Sequence, residues 1–77
     1  MKFNKEKFAE KLKSKRGAKM LTQAQLGAAI GVSEDAICKY ENGVVCPGVD
    51  KVIALASFFD CDVNEMCGWN DQFGETS

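Results

Sequence analysis

The chain contains no histidine, the side chain most used for proton transfer near neutral pH and for binding transition metals. It also lacks a phosphate-cradling glycine loop and any Ser/His or Cys/His constellation. Its acids cluster as helix caps and not as a pair facing a pocket. With 77 residues there is little interior for a substrate cleft. These absences argue against an enzyme. No apolar run approaches the roughly 20 residues of a membrane span. The opening Met1-Lys2-Phe3-Asn4-Lys5 has no apolar core of a secretion signal, so the expected location is the cytoplasm. The four cysteines, Cys38, Cys46, Cys61 and Cys67, show no close pair of the C-x-x-C kind, so neither zinc nor any other cofactor is expected. They read as small apolar residues, one or two with exposed thiols. Neither a strand pattern, an internal repeat nor a low-complexity tract is present.

What remains is a single compact domain, 45% hydrophobic and 27% charged, with one proline. Its net charge of -1 hides a strong polarity. Residues 1–33 carry a net +6 and residues 34–77 a net -7. Such a chain can meet a polyanion with one side and repel it with the other. The plain alternative is that the lysine-rich stretch is a solvated helix face.

Almost every segment has the spacing of a helix. Phe8 and Leu12 lie four apart in a helix predicted over residues 4–16 or slightly beyond, with Gly17 weakening its end. Thr22-Gln23-Ala24-Gln25 is a capping box that opens a second helix, with Leu26, Ala29 and Ile30 on its inner face and Gly31 at its end. Ser33 caps a third helix whose first turn carries Glu34 and Asp35, with Ile37 and Tyr40 pointing inward and Asn42-Gly43 as the stop. A fourth helix is predicted over residues 49–59, with Val49, Val52, Ile53, Leu55, Ala56 and Phe59 as its apolar face. Asp62-Val63-Asn64-Glu65 reads as a second capping box, opening a short fifth helix to about Cys67. Cys61 and Met66 are expected to be buried. Residues 1–68 form the predicted domain, and residues 69–77, with Trp69 and Phe73, a short polar tail.

The centre of the pattern is residues 22–43. Two short helices meet at a tight Gly31-Val32-Ser33 turn, the layout of a helix-turn-helix. Gly27, four before Gly31, leaves room for the second helix to cross closely. The run Leu21-Thr22-Gln23-Ala24-Gln25-Leu26, then Gly31-Val32-Ser33, then Ile37-Cys38-Lys39-Tyr40-Glu41-Asn42-Gly43, with Pro47 after it, resembles the Cro/cI (XRE) helix-turn-helix family of phage and bacterial regulators. The resemblance spans about residues 8–67. It implies an all-α, five-helix bundle of the lambda-repressor-like DNA-binding type.

The resemblance also implies roles. The third helix would enter the major groove, with Ser33, Glu34, Asp35 and Lys39 as base readers. Lys39 would donate to guanine, and Glu34 or Asp35 would accept from cytosine N4, unless the two acids serve only the helix start. Phosphate contacts fall to Thr22, Gln23, Lys13, Lys15, Arg16 and Asn42. Arg16 and Glu41 match a structural ion pair, and Cys38 stands where the family often has serine. The implied function is a transcriptional regulator, a repressor acting as a homodimer on a palindromic double-stranded operator, with no small-molecule ligand and no membrane. The dimer surface would involve residues 44–46 and 58–69, where Val44, Val45 and Phe58 look exposed. A second reading keeps the same fold as a protein-interaction module, an antitoxin-like or antirepressor partner, favoured by the acidic balance of residues 34–77.

Overall fold

The computed structural model of the protein describes residues 4–67. Within them the fold is all-α, with five helices in chain order: α1 (Lys5–Ala18), α2 (Gln23–Ile30), α3 (Glu34–Glu41), α4 (Val49–Phe58) and α5 (Val63–Cys67). The expectations for Trp69 and Phe73 lie outside the described residues.

Local chemistry sets most of the boundaries. The Asn4 side chain accepts from the Glu6 and Lys7 amides and starts α1. Gly17 does not end that helix, which runs on through Ala18. At α2 the Thr22 hydroxyl accepts from the Gln25 amide at 3.0 Å while the Gln25 side chain accepts from the Thr22 amide at 2.8 Å. Two otherwise unsatisfied donors are thereby closed reciprocally. Gly31 then takes φ +79°, a left-handed conformation in which a side chain would be strained. Ser33 caps α3 by accepting from the Ala36 amide.

The capping box expected at α5 forms only by half. Asp62 accepts from the Glu65 amide at 2.7 Å, but the Glu65 carboxylate turns to Lys15 Nζ, 2.6 Å away on α1. A charged partner holds a carboxylate more strongly than a neutral backbone amide does.

The core gathers one stripe from every helix. Phe8, Leu12, Leu26, Ile37, Leu55, Met66 and Cys67 are fully buried. Each large apolar side chain so covered contributes about 1.5–3 kcal/mol. Tyr40 is buried, its ring edge-on to Phe8 at 6.4 Å. Several expectations need correction. Ala29 is exposed and off the inner face of α2. Phe59 terminates α4 and, like Cys61, is only half-buried at the edge of the core. Phe58 packs against the core instead of facing outward, with its ring 5.1 Å from Phe59 and Lys19 Nζ 5.8 Å above it. Val49 and Ile53, assigned to the buried face of α4, are 75% and 52% exposed. They lie one turn apart, on a side of α4 that no other described helix covers.

Gly27 is fixed by packing. A Cβ added there would sit 2.6 Å from the Val32 carbonyl oxygen and 3.1 Å from that of Ser33. Both are backbone atoms at the turn into α3 and cannot swing aside. Alanine would gain about 1 kcal/mol of helix propensity, yet the clash forces α2 and α3 apart at a cost of about 1–3 kcal/mol. Gly27→Ala is therefore expected to lower the thermal midpoint. A raised midpoint would show the turn to be more compliant than this packing implies.

Candidate nucleic-acid interface

The tight turn sets α3 across α2 so that Ile37, Tyr40 and Glu41 point inward. The opposite side of α3 is left to solvent: Ser33, Glu34, Asp35 and Lys39 are all exposed. Cys38 is half-buried beside them. The start of α2 comes close to this side, and Gln23, Glu34, Asp35 and Cys38 line one hollow of about 250 Å³. Residues that lie ten or more apart in sequence thus form a continuous surface, comprising the first turn of α2 and the outer face of α3.

Beneath this surface lies a buried carboxylate. Glu41 is 3% exposed. Arg16 grips it with two donors, Nε to Oε2 at 2.5 Å and Nη2 to Oε1 at 3.1 Å. The third guanidinium nitrogen, Nη1, donates to the Leu21 carbonyl at 2.6 Å. Gln23 Nε2 adds a further donor to Glu41 Oε1 at 3.1 Å. The Arg16–Glu41 pair therefore ties α1, the loop before α2, α2 and α3 together. The Glu41 hydrogen bond holds the Arg16 guanidinium above its ordinary pKa. The Gln23–Glu41 contact escaped the sequence reading, since nothing local marks a glutamine at a helix start as the partner of a residue eighteen positions on.

The basic residues of α1 do not all reach this surface. Lys15 faces α5, where the Glu65 hydrogen bond raises its pKa, with Cys61 close by. Burial in turn pushes the Cys61 and Cys67 thiols up. Lys19 lies over Phe58 at the end of α4. Lys13 is exposed on α1. Of the expected phosphate-contacting cations, only Arg16 is joined to the α2–α3 unit by a hydrogen bond among the described residues.

Two contacts on the outer face of α3 were also unforeseen. Lys39 Nζ lies 3.0 Å from Asp35 Oδ2, one turn earlier. Asn42 Nδ2 lies 3.5 Å from Cys38 Sγ. The four-residue spacing of Asp35 and Lys39 was a usable signal for the first.

Val44, Val45, Val49 and Ile53 are also exposed. An apolar groove of about 350 Å³ runs between α4 and α5, lined by Pro47, Val49, Ile53, Val63, Cys46 and Cys67 among others. All four cysteines are free thiols.

Comparison with known proteins agrees with this architecture. Residues 12–66 match the family model described as helix-turn-helix. The chain is 34% identical over 62 residues to the cryptic phage CTXphi transcriptional repressor RstR of Vibrio cholerae, covering 80% of this chain and 55% of that protein. It is 37% identical over 59 residues to the transcriptional activator BcrR of Enterococcus faecalis, covering 77% of this chain and 29% of that protein. It therefore spans about half or less of the length of these curated relatives. Among solved structures, the P22 c2 repressor protein, crystallised in complex with a synthetic operator, superposes with a TM-score of 0.73 at 27% identity, covering 77% of this chain and 89% of that one. The Thr22 box, the Gly31 turn and the Arg16–Glu41 core all fall within the matched residues, and the chain belongs to the Cro/C1-type (XRE) helix-turn-helix family of transcriptional regulators.

Proposed function

We propose that the protein is a sequence-specific double-stranded DNA-binding transcriptional regulator that inserts α3 into the major groove. The observation that carries this reading is the exposed outer face of α3 set beside the first turn of α2. Ser33, Glu34, Asp35 and Lys39 then face base edges. Thr22, Gln23 and Asn42 flank them at phosphates, with the exposed Lys13 of α1 as a further phosphate contact. Arg16 is first a structural residue, because its donors are engaged by Glu41 and Leu21. Lys15 contributes least, its charge being already met by Glu65. The similar P22 c2 repressor, crystallised in complex with a synthetic operator, supports DNA as the partner. Repression is the favoured outcome, since occupying a promoter is sufficient for it, and the protein acts in the cytoplasm without catalysis or a small-molecule ligand.

The reading includes a homodimer on a palindromic operator. One α3 reaches too few base pairs for high specificity, and a two-fold pair doubles them at half-sites about one helical turn apart. A second copy is the occupant that suits the exposed Val49 and Ile53 beside the apolar groove. Ile53→Glu should leave the helical circular dichroism intact, yield a monomer by sedimentation, and weaken operator binding about a hundredfold through lost bivalency. An unchanged sedimentation coefficient would place the dimer contact elsewhere.

Selection from a randomised duplex pool tests the proposal as a whole. The expected product is an enriched palindrome, bound far more tightly than bulk DNA and weakened by salt. One observation favours the protein-interaction alternative: Glu34 and the Asp35–Lys39 pair leave the outer face of α3 without net positive charge. Weak binding with no enriched sequence would overturn the DNA-binding reading and favour that alternative.

A further inference from the structure

We propose that Asp35 and Lys39 act as one donor–acceptor unit that reads a single G·C base pair in the major groove. The inference rests on the DNA-binding reading above and sharpens it to a base. Lys39 Nζ and Asp35 Oδ2 are 3.0 Å apart on the exposed side of α3, with side chains 52% and 73% accessible. In a G·C pair, guanine O6 and cytosine N4 lie side by side in the major groove, joined by a Watson–Crick hydrogen bond about 2.9 Å long. A donor and an acceptor on the protein therefore face an acceptor and a donor on the DNA at nearly equal spacing. The ammonium has three donors, enough for Asp35, O6 and N7 together. The ionised carboxylate keeps lone pairs free for the N4 hydrogen after meeting Lys39.

The four base-pair orientations separate on this template. C·G and A·T oppose like to like at the two central positions. T·A offers acceptor and donor in the right order, but its methyl group falls where Lys39 needs N7, and adenine N7 falls beside the carboxylate. Only G·C satisfies every group. The pairing also explains how an acid can stand in a reading surface close to phosphates: Asp35 is neutralised by Lys39 before it arrives. An exposed ion pair of this kind is weak enough to adjust its geometry on docking.

The test begins with the motif enriched by the wild-type chain. Affinities are then measured for every single-base-pair variant of that motif, using wild type, Asp35→Ala, Lys39→Ala and the double substitution. Both positions are exposed, and circular dichroism verifies the fold of each variant. The expected result is that both single substitutions relax preference at the same G·C pair by about tenfold, and that the double substitution relaxes it no further. A probe on the DNA needs no variant. N4-methylcytosine at that pair replaces the groove-facing hydrogen, and should weaken wild type about tenfold while leaving Asp35→Ala unaffected. Relaxation at two different base pairs, indifference of wild type to the methyl group, or uniform tightening by Asp35→Ala with preference unchanged each overturns the paired reading while leaving DNA binding intact. A wild-type chain that enriches no sequence removes the DNA-binding reading and this inference with it.

Discussion

Replacing Arg16 with alanine is expected to destabilise the fold by about 3–5 kcal/mol, the usual cost of removing one partner from a buried ion pair. Glu41 is 3% exposed, and Arg16 supplies two of its donors. Without Arg16 the carboxylate keeps, among the described residues, only the Gln23 amide, too little to offset its desolvation. The Leu21 carbonyl also loses its donor. A domain of this size has only about 5–15 kcal/mol of total stability. A loss of 3 kcal/mol lowers the thermal midpoint by roughly 12–24 °C. Most of that stability is expected to return in the double substitution Arg16→Met, Glu41→Leu, because two apolar groups of similar size leave no buried charge. Thermal and urea unfolding of the three chains check this. A single Arg16→Ala within about 1 kcal/mol of wild type would mean that Glu41 is solvated on opening of α3, and that the Arg16–Glu41 pair does not tie the helices together.

The second large effect is on binding. Gln23→Ala with Lys39→Ala is expected to weaken the enriched operator by about a hundredfold, from a base contact worth about 1–3 kcal/mol and a hydrogen bond worth about 1 kcal/mol. Binding to unrelated duplexes should fall much less, since Lys39 is assigned to a base edge and most non-specific affinity comes from phosphates. The fold should hold with a small loss, because Arg16 still grips Glu41 when Gln23 is gone. Fluorescence anisotropy with both duplex types separates these effects. Operator affinity surviving within a few-fold in a folded double variant would put the reading surface elsewhere.

Which features were legible in the sequence depends on how far apart the interacting groups lie. The Thr22 box, the Ser33 cap and the Gly31 turn each close within a few residues, and all three stand in the structure. Gly27 was legible because its distance from Gly31 fixes its place at the crossing. Periodicity found the apolar stripe of α4 but could not tell which part of it meets another helix. Val52, Leu55 and Ala56 are buried while Val49 and Ile53 face outward. The Glu65 carboxylate looked like half of a capping box, but Lys15, fifty positions earlier, competes for it and wins. Charge polarity along the chain was a poor guide for the same reason: Lys15 and Lys19 face α5 and the end of α4, not α3. The Asp35–Lys39 pair was open to reading at its four-residue spacing, and its meaning emerges only once that side of α3 is seen to be exposed.

The central claim is that the first turn of α2 and the outer face of α3 form the DNA-binding surface. Amide chemical-shift mapping of the isotopically labelled chain, titrated with the enriched duplex, tests it most directly. The account predicts large shifts over residues 22–25 and 33–42, with small ones over residues 62–67. Shifts centred on residues 44–53, with Gln23 and Lys39 unmoved, would contradict it.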